Sequence, residues 1–207
     1  MIKERLITFG CSYPFGQGLP DCIGRNNNQP GETASHQAFP ALIANAIDRE
    51  NINLSVPGSS NKAMVYRLQK FKFEISDIVL LNWTHAERSC VINNNTASII
   101  GPWCPDKKSK IFYKQFSTNE EIEFNNKIFI SWTNYYLAQC VTQIINTKPF
   151  NYTGDPASNF KSNNVEFLDN TINDYRIDHA ADDSHPGIKS HQAYADYILN
   201  EYLLNDM

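Results

Sequence analysis

Asp77-Ile78-Val79-Leu80-Leu81 is an unbroken apolar run behind a single acid, the composition of a strand buried on both faces of a parallel sheet. Upstream, Arg5-Leu6-Ile7-Thr8-Phe9 is a second short β-prone run, and it stops at Gly10. Between them, Ala41, Leu42, Ala44 and Ile47 follow Phe39-Pro40 at helical spacing, which predicts a helix to about Glu50. Ile52-Asn53-Leu54-Ser55 predicts another strand, closed by Pro57-Gly58. Ser59-Ser60-Asn61 then supplies cap residues for a helix carrying Met64, Val65, Leu68 and Phe71. Strand, helix, strand, helix, strand is the order of βαβ units, so the fold class expected is α/β with a mainly parallel sheet.

Downstream the pattern loosens. Residues 89–125 hold Pro102, Pro105 and Lys107-Lys108 with little periodicity, as expected of an insertion or lid. Helical spacing returns over 128–145, a fourth strand is expected at Phe150-Asn151-Tyr152-Thr153, and a terminal helix begins at Ile188. No linker divides the chain, so one domain spanning 1–207 is expected.

Eighteen Lys and Arg against twenty-two Asp and Glu leave a net charge of −4, and no basic run offers the phosphate-neutralising surface of a nucleic-acid binder. No stretch reaches the ~18 apolar residues needed to cross a bilayer, and Met1-Ile2-Lys3-Glu4-Arg5 is not a leader sequence, so cytoplasmic synthesis is expected. The five cysteines are odd in number, dispersed and without a CxxC pair, which favours reduced thiols over a disulfide framework or a zinc site. The asparagine runs 26–28 and 93–95 carry no mechanistic reading.

In open α/β sheets, reactive groups gather beyond the carboxyl ends of the strands. The residues there are Gly10-Cys11-Ser12-Tyr13, Pro57-Gly58-Ser59-Ser60-Asn61 and Asn82-Trp83-Thr84-His85, with Asp182-Asp183-Ser184-His185-Pro186 ahead of the last helix. A serine hydroxyl becomes a nucleophile only when an imidazole can take its proton, which pairs Ser12 with His185. An acid must fix the imidazole's tautomer, and Asp182, three residues earlier, has the right spacing, with Asp183 as the competing acid. A developing oxyanion needs donors: the N–H groups of Ser12 and Gly58, and a side chain from Asn82 or Thr84.

This block order resembles that of the SGNH (GDSL-like) hydrolases, and it covers nearly the whole chain. The resemblance implies a three-layer α/β/α sandwich with a flavodoxin-like sheet, Ser12 as nucleophile, His185 as base with Asp182, Gly58 as the second-block glycine, and no cofactor. The implied activity is that of a serine esterase acting on acetylated carbohydrate or short acyl esters through an acyl-Ser12 intermediate. Two positions depart from the family pattern: Gly-Asp-Ser is Gly10-Cys11-Ser12, and the third-block asparagine aligns with Thr84.

Those departures keep a second expectation open, a module without catalytic rate that holds a glycan or serves as a structural component of a larger assembly such as a virus particle. Tyr13, Asn61, Trp83 and Arg88 are candidate substrate contacts. Tyr13 and Trp83 would act as aromatic walls, and Arg88 as an anion clamp or as the surface partner of Glu87. His179, His185 and His191 lie among carboxylates, but their spacing fits no compact metal motif, so no metal is expected.

Overall fold

The computed structural model describes residues 3–25, 29–148 and 165–204. Four strands make a parallel sheet in the order β2-β1-β3-β4: β1 (Arg5–Phe9), β2 (Glu50–Asn53), β3 (Ile78–Asn82) and β4 (Gln143–Thr147). The register sets Phe9 beside Leu81 and Leu81 beside Asn146. The chain leaves β1 for one side of the sheet and returns through β3 on the other. The crevice of an open α/β sheet forms at such a reversal, outside the strand ends.

Side-chain alternation along the strands gives the sheet two apolar faces. Leu6, Ile78, Leu80 and Ile145 meet α2 (Phe39–Ala46) and α6 (Ile188–Ile198), with Phe39, Ile43, Tyr194 and Ile198 buried between. Ile7, Phe9, Val79 and Leu81 meet α3 (Asn61–Leu68) and α5 (Asn119–Leu137), through Met64, Leu68, Ile130 and Leu137. This is the three-layer α/β/α architecture that the family resemblance implies, and Asp77 and Arg5 join β3 to β1 at the far edge through paired bonds of 2.8 and 2.7 Å. Ser60 caps α3, its hydroxyl accepting from the N–H of Ala63 at 3.1 Å.

Two downstream secondary-structure expectations need correction. The helix expected over 128–145 begins at Asn119, ends at Leu137, and is followed by β4, because the apolar run Ile144-Ile145 suits a short buried strand as well as a helix. Residues 89–125 are not irregular. They hold an antiparallel hairpin, Ser89–Asn93 paired with Thr96–Ile100, then α4 (Lys107–Gln115) and the first turns of α5. Asn94 and Asn95, at φ 46° and 63°, make the hairpin's turn, since asparagine tolerates the left-handed region. The strand expected at 150–153 lies outside the described residues. No helix among the described residues is long and apolar enough to cross a membrane.

Candidate active site

Ser12 opens a one-turn helix, α1 (Ser12–Phe15), directly beyond β1. Gly10 permits this entry: a Cβ there would stand 2.4 Å from Pro14 Cγ and 3.1 Å from Asn82 Cβ. Cys11 packs into the core beside Tyr13.

The loop ahead of α6 folds back on itself before it meets Ser12. Ala180 N–H donates to His185 O at 2.9 Å, and Gly187 N–H donates to Asp178 O at 3.0 Å. Asp178 also takes the N–H groups of Lys189 and Ser190 at 3.1 and 2.9 Å, capping the helix. Burial of Asp178 opposes its charge, but the Ser190 hydroxyl and N–H, the Lys189 N–H and the Lys189 charge outweigh that and hold its carboxyl below the ordinary range.

Within this frame His185 Nε2 lies 2.8 Å from Ser12 Oγ. Its Nδ1 lies 2.6 Å from Asp182 Oδ2, while Asp182 Oδ1 accepts the N–H groups of His185 and Ser184 at 3.0 and 3.1 Å. The Asp182 side chain is 3% exposed and that of His185 16%. Burial alone would raise the Asp182 carboxyl. The His185 N–H, the imidazole's charge and hydrogen bond, and the Ser184 N–H together hold it below the usual carboxylate range. Tyr13 meets the His185 ring edge-on at 5.4 Å between centroids. An ionised acid, an imidazole and a hydroxyl thus form one hydrogen-bonded chain. Asp183 is exposed at φ 55°, and its backbone carbonyl, not its carboxylate, approaches His179 at 3.2 Å.

The other sequence candidates separate. Gly58 sits beyond β2 at φ 73°, in a turn where nothing lies within 4 Å of a Cβ position. Asn82 is turned into the sheet, its amide donating to Thr147 Oγ1 at 2.6 Å. Trp83 is buried in the α3–α5 face with its indole N–H on Asn146 Oδ1 at 2.9 Å, so it forms no substrate wall. Asn61 is likewise spent within the fold, accepting from Thr84 N–H at 2.8 Å and donating to Thr84 O and Asn126 Oδ1 at 3.1 and 2.6 Å. Arg88 does not pair with Glu87. Its Nη1 donates to Thr84 Oγ1 at 3.1 Å, and its guanidinium carbon lies 4.7 Å from the centre of the Trp103 ring.

Two contributors have no signal in the sequence spacing. Gly18, at φ 82°, lets the chain after α1 pass against the acid, since a Cβ there would be 3.1 Å from Asp182 Oδ1. His191 is buried against Phe39 and accepts its N–H at 3.1 Å, and burial, with His185 nearby, drives its pKa down to about 3 in spite of Asp178. It serves as a neutral acceptor. Among the described residues no cluster of His, Cys, Asp and Glu could hold a metal ion.

No protein-family model and no curated protein matches the sequence. Solved structures match the fold. A carbohydrate esterase whose active site displays divergent catalytic and non-catalytic binding functions superposes with a TM-score of 0.61 at 13% identity, over 99% of this chain and 70% of its own. An acetyl xylan esterase from the rumen bacterium Butyrivibrio proteoclasticus gives 0.57 at 13%, over 97% of this chain and 65% of its own. A lipolytic protein of the G-D-S-L family from Veillonella parvula gives 0.52 at 11%, over 97% and 99%. The fold is therefore that of the SGNH/GDSL-like hydrolases.

Proposed function

We propose that this SGNH-type chain is a serine esterase that removes an acetyl or other short acyl group, most suitably from a carbohydrate, through an acyl-Ser12 intermediate. One observation carries the reading: the continuous hydrogen-bonded chain from Asp182 through His185 to Ser12. The ionised Asp182 holds the proton on Nδ1, which leaves the Nε2 lone pair facing the serine hydroxyl.

Ser12 Oγ attacks the ester carbonyl carbon as its proton passes to His185 Nε2. The carbonyl oxygen becomes an oxyanion, for which the Ser12 N–H, the Gly58 N–H and the Thr84 hydroxyl are the donors in this reading. Collapse expels the alcohol, which takes the proton from His185. Water then gives its proton to Nε2, attacks the acyl carbon, and restores Ser12 as the carboxylic acid departs.

The chain acts as one domain in this account, and residues 89–125 serve as the substrate-selecting cover. A cleft of about 360 Å³ lies between this segment and residues 86–88, bounded by Arg88, Glu87, Phe112, Phe116 and Glu121, and none of Ser12, Asp182 and His185 lines it. The choice of acetylated carbohydrate leans on the solved esterases that share the fold.

The test is release of p-nitrophenol from p-nitrophenyl acetate and of acetate from acetylated xylo-oligosaccharides. Turnover by the native chain that disappears in Ser12→Ala and in His185→Ala supports the reading. Native protein that turns over neither ester, yet binds the oligosaccharide, would replace it with the glycan-holding module.

A further inference from the structure

The third family block departs from its pattern at Thr84, and the residues around Thr84 are unusually committed to it. Asn61 brackets its backbone, accepting from its N–H at 2.8 Å and donating to its carbonyl at 3.1 Å. Asn126 holds Asn61 in turn and is anchored to the carbonyls of Ala86 and Ile122 at 3.0 and 2.8 Å. The Thr84 side chain is governed separately, by Arg88 Nη1 at 3.1 Å. Trp103 backs the guanidinium from 4.7 Å, and among the described residues no carboxylate forms an ion pair with Arg88.

A hydroxyl has one proton to donate, and a guanidinium has only donors. Facing Arg88, the Thr84 oxygen must accept, so its proton has to turn elsewhere. Thr84 is only 4% exposed, and that proton meets no acceptor among the described residues. The spare donor sits beside the nucleophile's strand. Gly10 and Asn82 are so close that a Cβ on Gly10 would stand 3.1 Å from Asn82 Cβ, and Ser12 and Thr84 each follow two residues later. Asn82, whose amide is bonded to Thr147, does not compete for the role.

We propose that Arg88 is a positioning residue of the oxyanion hole. It fixes the rotor of the Thr84 hydroxyl so that its proton points at the substrate's developing oxyanion, and its unneutralised charge polarises that hydroxyl into a stronger donor. Thr84 and Arg88 together then supply what the third-block asparagine amide supplies in the family pattern. This rests on the esterase reading and adds to it a residue four positions beyond Thr84.

The test is kinetics of the full chain on p-nitrophenyl acetate, with thermal melts of every variant. Thr84→Val should lower kcat about 100-fold with KM within about twofold, as loss of one oxyanion donor does, while Thr84→Ser stays near native. Arg88→Met should lower kcat about tenfold with KM unchanged, and should cost nothing further on the Thr84→Val background. Should Arg88→Met fail to fold, Arg88→Lys takes its place and must show the same loss of effect in the double variant. The proposal is overturned if Arg88 variants match native kcat, if their effect multiplies with that of Thr84→Val, or if it falls on KM alone, which would make Arg88 a substrate contact. A native chain without turnover overturns the esterase reading and this inference together, whereas an active native chain with an indifferent Arg88 overturns only the latter.

Discussion

Asp182→Asn is a one-atom perturbation whose consequence is set by the loop's hydrogen bonds. Asp182 Oδ1 accepts two backbone N–H groups, from His185 at 3.0 Å and Ser184 at 3.1 Å, while Oδ2 faces His185 Nδ1 at 2.6 Å. An asparagine carbonyl must remain where Oδ1 was, because an NH₂ there would oppose two donors and forfeit two hydrogen bonds, each worth about 1 kcal/mol and more when buried. The amide nitrogen therefore replaces Oδ2 and donates to Nδ1. This favours the His185 tautomer with its proton on Nε2, aimed at Ser12 Oγ 2.8 Å away, where it cannot accept the serine proton. Ser184 Oγ, 3.1 Å from Nδ1, is the one other acceptor in reach of that nitrogen among the described residues. A wrong-tautomer imidazole costs on the order of 10⁴ in kcat, whereas folding should change by less than about 1 kcal/mol because the backbone bonds persist. The assay is kcat on p-nitrophenyl acetate beside urea unfolding of the same preparation. A variant within tenfold of native kcat would refute the assignment of Asp182 as the orienting acid. Activity lost instead in Asp183→Asn would move that role to its neighbour.

Acid should weaken the fold in two overlapping windows. His191 is held neutral with its pKa depressed to about 3, so between pH 6.5 and 3 the unfolded chain takes up a proton that the native chain refuses, and stability falls as pH falls. The slope is about 1.4 kcal/mol per pH unit, or about 2 kcal/mol between pH 6.5 and 5. Urea unfolding at pH 7, 6 and 5 reads it, His191→Gln should flatten it, and a native chain equally stable at all three values contradicts it. Asp178 and Asp182, whose folded pKa values lie below the ordinary carboxylate range, contribute stability that is complete above about pH 4 and disappears as pH falls through those lowered values. Gly10→Ala would drive a Cβ to 2.4 Å from Pro14 Cγ and should cost about 1–3 kcal/mol while displacing Ser12. Retention of native kcat and native unfolding midpoint together would show that the strand-to-helix entry tolerates a side chain.

The central strands were legible because burial on both faces leaves β1 and β3 no choice but apolar runs. The same simplicity misled at 143–147, where Ile144 and Ile145 continue the helical spacing of α5 with no glycine or proline to mark the change. Asn93-Asn94-Asn95, which as composition says nothing, proves to be a turn signal once Asn94 and Asn95 are seen at positive φ. Ser12, Asp182 and His185 could be nominated because their chemistry needs particular residue types at strand ends. Trp83 and Asn61 were misjudged by the same rule, since lying next to a strand end does not say whether a side chain faces solvent or core. Contacts made across long separations, such as Gly18 against Asp182, His191 on Phe39 and Trp103 under Arg88, leave no periodicity to find.

The central claim is that Ser12 is an activated nucleophile, and covalent capture tests it most directly. Native protein and Ser12→Ala are incubated with a fluorophosphonate probe and weighed intact, and the labelled peptide is sequenced. The account predicts a single adduct on Ser12 in the native chain, absent from Ser12→Ala and strongly slowed in His185→Ala. A folded native chain that takes no label, or takes it equally without Ser12, would contradict it.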